Sequence, residues 1–259
     1  MPGRCTDKRG AYGLDLVRTD VDLATRPGSR LTSMNVDIRH SPSFALARLT
    51  LAGGEKVRVE SGAMALHSAG LELEAKMQGG LMKSLKRSVL GGESLFVSNY
   101  TAPSAGGWVE VAPSLPGDVF TVEVSGTYIL TRGSFLASSD GLQLDTKWGG
   151  FSNLVGGEGG FLVHVTGTGT LVGSCYGALD RHTLAAGESL TVDSGHLVSY
   201  TEGITISARR AAKGGLVQSM KSGEDLVFDV TGPGEVATQS RNPNEFVSWL
   251  IPKLPFSRT

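Results

Sequence analysis

LAGGEKVRVESGAMALHSAGLELEAK, residues 51–76, can be laid without a gap on LAAGESLTVDSGHLVSYTEGITISAR, residues 184–209. Nine of the 26 aligned positions are identical, among them Gly54/Gly187, Glu55/Glu188, Ser61/Ser194, Gly62/Gly195 and Gly70/Gly203. Within each copy, runs of four to seven residues alternate apolar and polar, and glycines separate the runs. LELEAKM (71–77) sets Leu71, Leu73, Ala75 and Met77 against Glu72, Glu74 and Lys76, the period of a strand with one wet face. A middle stretch, RGSFLASSDGLQLDTK (132–147), matches the second half of the unit through Gly133 and Gly141. Similarity at a fixed long period marks a repeat architecture, in which each copy is one supersecondary unit.

Outward from this core the copies stay parallel. Each proceeds to a glycine pair, a short apolar turn and a Gly-Glu: GGLMKSLKRSVLGGE (79–93), GGFSNLVGGE (149–158) and GGLVQSMKSGE (214–224). Each then closes with an apolar strand, LFVSNY, FLVHVTG or LVFDVTG. The expected fold is all-β, with three tandem units spanning about 34–112, 113–179 and 180–241 in one domain (34–259). The exception is the carboxyl end. In NPNEFVSWLIP, Asn242 can cap a helix, Pro243 suits its first turn and Pro252 stops it, which predicts a helix over 243–251. Phe246, Trp249 and Leu250 share one face of that helix and are expected to dock on the β body.

Composition agrees. Glycine supplies 36 of 259 residues with only 10 prolines and no triplet period, as expected of many tight turns rather than of collagen. A net charge of −1 gives no general attraction to nucleic acid or anionic lipid. No apolar run approaches the length of a membrane span, and MPGRCTDKRG lacks the apolar segment of a secretory signal. Cys5 and Cys175 are too few for a disulfide framework or a zinc site. The expectation is a cytoplasmic protein with reduced thiols. Residues 1–33 mix six basic with four acidic residues and show no sustained period. They read as a poorly structured tail or as a start assigned too early, with Met34 as the true start.

The basic turn of the first unit is the candidate interaction surface. As a helical turn it places Leu81, Met82, Leu85 and Val89 on one arc and Lys83, Lys86 and Arg87 on the other. The middle copy carries no charge before Glu158, so the turn is architectural first and the charge an addition. The glycines that bracket it in the three units are Gly79, Gly80, Gly149, Gly150, Gly214 and Gly215. Leu81, Leu85 and their counterparts Phe151 and Leu216 are expected to support packing between units or subunits.

Catalytic patterns are absent from the spacing. His40, His67, His164, His182 and His196 stand singly, without the clustering that metal ligation needs. Asp180-Arg181-His182 reads as a connecting loop. GTGTLVG (167–173) has the wrong spacing for a dinucleotide loop, and its counterpart TGPGEVA suggests a hairpin turn. GSCYG (173–177) has no central serine, and Cys175 reads as a small strand residue.

In order along the chain, ESGAMALHSAGLELEAK, GGLMKSLKRSVLGGESLF, LPGD, RGSFLASSDGLQLDTK, WGG, GGEGGFL, DSGHLVSY and TGPGEVATQSRNPNEFVSWL resemble the mitochondrial-biogenesis, or altered-inheritance-of-mitochondria, family over about residues 34–252. That resemblance implies a fold similar to the tryptophan RNA-binding attenuation protein, related to the double-stranded β-helix, and assembly into homotrimers. It implies no accepted biochemical activity. The link of the mitochondrial relatives to inner-membrane organisation carries over as a hint of scaffolding near membranes. The expected function is therefore a non-enzymatic homotrimeric scaffold without cofactor, peripheral to a membrane or bound to a protein partner. The alternatives are nucleic-acid binding, suggested by the fold analogy with Arg209, Arg210, Lys213, Lys83, Lys86 and Arg87, and an enzyme or small-molecule binder using a barrel interior.

Overall fold

The computed structural model describes residues 34–77, 95–148, 161–210 and 226–255. The first unit contributes β1 (Asn35–Arg39), β2 (Leu46–Leu51), β3 (Lys56–Glu60), β4 (Met64–His67), β5 (Glu72–Met77), β6 (Phe96–Thr101) and β7 (Gly107–Val111). The middle unit contributes β8 (Val119–Thr131), β9 (Phe135–Ser139), β10 (Leu142–Trp148) and β11 (Phe161–Ser174). The third contributes β12 (Leu179–Leu184), β13 (Ser189–Asp193), β14 (Leu197–Thr201), β15 (Thr205–Arg209), β16 (Val227–Thr231) and β17 (Gly234–Gln239), followed by α1 (Pro243–Leu250). The protein is thus all-β, in three tandem units, with a short carboxyl-terminal helix.

The Gly54-Glu55 and Gly187-Glu188 shared by the aligned stretches 51–76 and 184–209 have a mechanical reason. Between β2 and β3 the Glu55 carboxylate accepts from the Ala52 amide at 2.7 Å, while the Glu55 amide returns a bond to the Ala52 carbonyl at 3.1 Å. Glu188 and Ala185 repeat the pair between β12 and β13 at 2.8 and 3.0 Å. A second signature also recurs. The hydroxyls of Ser68, Ser139 and Thr201 accept from the amides of Trp108, Thr170 and Glu235, each at 3.0 Å. These bonds satisfy backbone donors at equivalent points of the three units.

The middle unit departs from its neighbours. Where the flanking units break into two strands with a turn, β8 and β11 run on for 13 and 14 residues. They pair antiparallel along their whole length, with Gly126 opposite Gly167 at the point where the other units turn. Both glycines have φ near +118°, a bend that a side chain would resist. The segment GTGTLVG is consequently part of a long strand and not a hairpin turn. Asp180, Arg181 and His182 likewise lie on β12, paired with β17, and not in a loop. Their polarity reflects an edge strand whose residues 180–183 are exposed.

The described strands form three sheets. A four-stranded sheet runs β1-β2-β7-β4, and a three-stranded sheet runs β13-β16-β15. The largest threads all units in the order β12-β17-β14-β8-β11-β9-β3-β6-β5, with β10 also on β11. Its continuity depends on two joints between units. In the first, Val57, Arg58 and Val59 of β3 face Ser139, Ser138 and Ala137 of β9. In the second, Tyr128, Ile129 and Leu130 of β8 face Thr201, Tyr200 and Ser199 of β14. The Tyr128 hydroxyl and Ser199 Oγ, 2.9 Å apart and buried, tie the second joint.

Strand periodicity places the core as expected in β2, where Ala47, Leu49 and Leu51 are buried between half-buried neighbours. Three clusters follow the units. The first also takes in Val119, Leu136, Ala137 and Val172 from the middle unit. The second takes Leu95 and Val97 from the first unit and Val198 and Ala237 from the third. The third is filled by third-unit residues around Val192, Phe228, Val230 and Val236. In β5 the alternation misleads, because Leu73 is exposed.

Candidate functional site

Leu81, Met82, Lys83, Leu85, Lys86 and Arg87, the bracketing glycines Gly79, Gly80, Gly149, Gly150, Gly214 and Gly215, and the amino-terminal 33 residues all lie outside the described residues. So do Phe151 and Leu216. The described surface offers a different candidate, at the end of the molecule where β2, β8 and β12 start and β7, β11 and β17 finish.

That end is assembled by matching backbone bonds. The Ala45 amide donates to the Gly117 carbonyl at 2.9 Å, the Asp118 amide to the Gly177 carbonyl at 2.9 Å, and the Ser240 amide to the Ala178 carbonyl at 2.9 Å. The chain then enters α1 through a tightly held corner. Gln239 accepts from the Tyr176 amide at 2.8 Å and donates to the Gly195 carbonyl at 2.8 Å. His196 Nδ1 donates to the Gln239 carbonyl at 2.6 Å, which assigns the proton to that nitrogen. Asn242 Nδ2 donates to Asp193 at 3.1 Å, and its Oδ1 caps the helix by accepting from Asn244 at 2.9 Å and Glu245 at 3.5 Å.

Beyond this anchor the helix is not buried. Phe246 meets the Tyr176 ring edge-on, with centroids 5.9 Å apart. Trp249 stacks on Phe246 at 6.2 Å, but it remains 58% exposed. Val247, Ile251 and Leu254 are also exposed, and no residue of α1 is buried. Of the face expected to dock, Phe246 makes a ring contact with the β body and Trp249 does not become buried. Trp249 stands exposed, while Leu250 is half-buried like Phe246. Lys253 Nζ sits 4.9 Å from the Trp249 ring, a cation held against an exposed aromatic. At the same end Phe44 is exposed beside a shallow groove of about 230 Å³ lined by Leu46, Pro113, Leu115 and Pro116. Sequence reasoning missed Phe44, since nothing in SPSFALARL distinguishes it from a core residue.

Many charged side chains of the body serve the fold. Glu110, buried on β7, receives both Arg39 and Arg48, and Arg48 also lies 4.2 Å from the Trp108 ring. Burial works to raise the pKa of Glu110, but the hydrogen bonds and charges of Arg48 and Arg39 outweigh it and hold the carboxyl below its ordinary value. Arg58 reaches across the first joint to the Leu142 carbonyl and Asp140. Arg209 is engaged by Asp229 at 2.6 and 3.0 Å, so the expected basic cluster with Arg210 and Lys213 has its first member paired. Arg181 pairs with Glu235 at 2.5 Å. His67 Nδ1 contacts the Ser68 carbonyl at 2.8 Å, and His182 contacts Thr238 at 3.2 Å. Among the described residues, no group of three or more His, Cys, Asp or Glu could hold a metal ion. Cys175 follows β11 in a buried position that pushes its thiol up to about 11. None of the described helices is long and apolar enough to cross a membrane.

The described residues define a class: an antiparallel β protein of three fused units with a short carboxyl-terminal helix. Comparison with known proteins narrows it. The model of the family described as mitochondrial biogenesis AIM24 matches residues 36–241. The chain belongs to that family. It is 32% identical over 234 residues to a protein of Streptococcus pyogenes serotype M6 described as uncharacterised, covering 86% of this chain and 92% of the relative. A crystal structure of a Streptococcus pyogenes protein is similar with a TM-score of 0.73 and 28% identity, covering 85% of this chain and all of that one.

Proposed function

We propose that the protein is a non-enzymatic scaffold that assembles as a homotrimer and acts by presenting the apolar end built by Phe44 and the α1 segment to a membrane surface. The observation that carries this reading is the exposure of Val247, Trp249, Ile251 and Leu254 together, with Lys253 stacked on the tryptophan. Exposed aromatic and aliphatic side chains gathered on one short segment, with a cation held against the tryptophan, suit the boundary between lipid headgroups and acyl chains. Isolated exposed apolar residues need no explanation, but four within eight positions of one pinned segment do. One such short face binds lipid weakly, and a trimer would multiply it. The polar side chains of the body support a structural rather than a catalytic use, since the Glu110, Arg58 and Arg209 clusters are closed on themselves. The net charge of −1 and the pairing of Arg209 weigh against nucleic acid.

The test is co-sedimentation of the full chain with anionic phospholipid vesicles, beside light scattering for the assembly state. Binding that drops at least tenfold in Trp249→Ser/Ile251→Ser, with unchanged melting, supports the reading. Equal binding by the wild type and the double variant removes the helix as the contact.

A further inference from the structure

We infer that the leaflet met by the α1 segment is anionic, its phospholipid phosphates bound by Arg241 before the helix and Lys253 after it. This rests on the proposed membrane contact and names the lipid chemistry that the contact selects.

Charge is unevenly placed along the chain. RNPNEFVSWLIPKLPFSRT, residues 241–259, carries three basic residues, Arg241, Lys253 and Arg258, against one acidic, Glu245. That stretch is +2 in a chain of net charge −1, which leaves −3 for everything before it. An anionic surface therefore attracts this stretch and repels the rest, so charge orients the molecule as well as holding it.

The cations that bracket α1 are uncommitted. In the β body Arg39 and Arg48 close on Glu110, Arg58 on Asp140, Arg181 on Glu235 and Arg209 on Asp229. Arg241 and Lys253 are exposed, and neither has a carboxylate partner among the described residues. Arg241 Nη1 donates to the Ser240 carbonyl at 3.1 Å, and Lys253 Nζ lies 4.9 Å from the centre of the Trp249 ring. Each keeps further N–H donors for a phosphate oxygen. Glu245, the one carboxylate on α1, is exposed in the first turn and has no cation partner among the described residues. It offsets part of the positive charge.

Spacing favours a leaflet over a free ion. The eight residues of α1 that separate the two cations rise about 12 Å along the helix axis. A leaflet offers a headgroup to each end of such a rod, and each contact strengthens the other, whereas a free phosphate gains from one cation. The side chains between and beside the cations point to the same occupant. Val247, Trp249, Ile251 and Leu254 are exposed, and an indole with an ammonium against its ring suits headgroup depth. A free phosphate or a nucleic acid would answer the cations and leave Val247, Ile251 and Leu254 in water. An anionic leaflet answers both.

The test is co-sedimentation of the full chain with phosphatidylcholine vesicles, made with and without phosphatidylglycerol, over a range of salt. The wild type should bind the phosphatidylglycerol vesicles more tightly, and the difference should fade as salt rises. Arg241→Gln/Lys253→Gln should weaken that binding about 25-fold, roughly fivefold per cation, with unchanged melting and unchanged weak binding to phosphatidylcholine. Glu245→Gln should strengthen it about fivefold. Trp249→Ser/Ile251→Ser should lose both vesicle types, and inorganic phosphate at matched ionic strength should displace neither. Equal binding of the two vesicle types by the wild type, or undiminished phosphatidylglycerol binding by Arg241→Gln/Lys253→Gln, overturns the anionic headgroup and leaves the membrane contact standing. No binding to either vesicle overturns both readings. Displacement by inorganic phosphate, or capture of polyglutamate through Arg241 and Lys253 without vesicle binding, overturns lipid as the occupant.

Discussion

Replacing Gly117 by alanine probes the seam where the units meet. Gly117 bridges Gly177 directly, and a methyl group built on it would lie 2.8 Å from the Gly177 nitrogen and 2.9 Å from the Cys175 carbonyl carbon, with the carbonyl oxygen closer still. Every one of those atoms is backbone, so no rotamer change relieves the contact. The seam must open, and it is held by the bonds from Asp118 to Gly177 at 2.9 Å, Cys175 to Asp118 at 3.0 Å and Gly177 to Pro116 at 3.0 Å. Loss of two or three bonds at about 1 kcal/mol each, with the strain of an inserted methyl, gives a cost of roughly 2–4 kcal/mol. For a chain of this size that corresponds to a melting shift of roughly 4–16 °C. Gly133→Ala is the control, because a methyl there meets nothing within 4 Å. It should change stability by less than about 0.5 kcal/mol. Urea unfolding of both variants measures the difference. Equal midpoints for Gly117→Ala and wild type would refute the close approach.

Glu110→Gln keeps the shape of the side chain and strips the charge that Arg39 and Arg48 share. Both arginines retain contact with water, so the expected cost at pH 7 is about 1–3 kcal/mol, below that of breaking a fully buried pair. The folded-state pKa of Glu110 is depressed, so its contribution is complete above the unfolded carboxylate pKa and is lost as pH falls through the folded value. The stability gap between wild type and variant should therefore narrow with acid below the ordinary carboxylate range, as chemical unfolding across pH will read. Cys175, with its thiol pushed up to about 11, should label with a disulfide reagent at pH 8 only as fast as the protein opens. Rapid stoichiometric labelling of native Cys5→Ser protein would contradict that burial.

The repeats were legible because the Gly-Glu turns and period-two runs are local devices, each set by a few residues such as Ala52 and Glu55. The helix was legible for the same reason, through Asn242 and its neighbouring prolines. What escaped depends on contacts distant in the chain. Gly126 and Gly167 look like turn glycines, but facing each other they bend two continuous strands. Asp180, Arg181 and His182 look like a loop until β17 supplies the partner that makes them an edge. The exposure of Phe44, Leu73 and Trp249 could not be read from composition, since the same residue types fill the core elsewhere. The basic turn singled out in the sequence lies outside the described residues, and the candidate surface comes instead from the exposed apolar side chains of the helix that Asn242 caps.

The way the three cores borrow from one another bears on how the chain matures during synthesis. The first cluster is incomplete until Val119, Leu136, Ala137 and Val172 have been made, and the second until Val198 and Ala237 have followed. Among the described residues, only the third closes with residues of its own unit. Each segment leaving the ribosome thus waits for the one behind it, and the newest unit is the first that can settle unaided. Stable packing should accordingly propagate backwards, from the end translated last toward the end translated first.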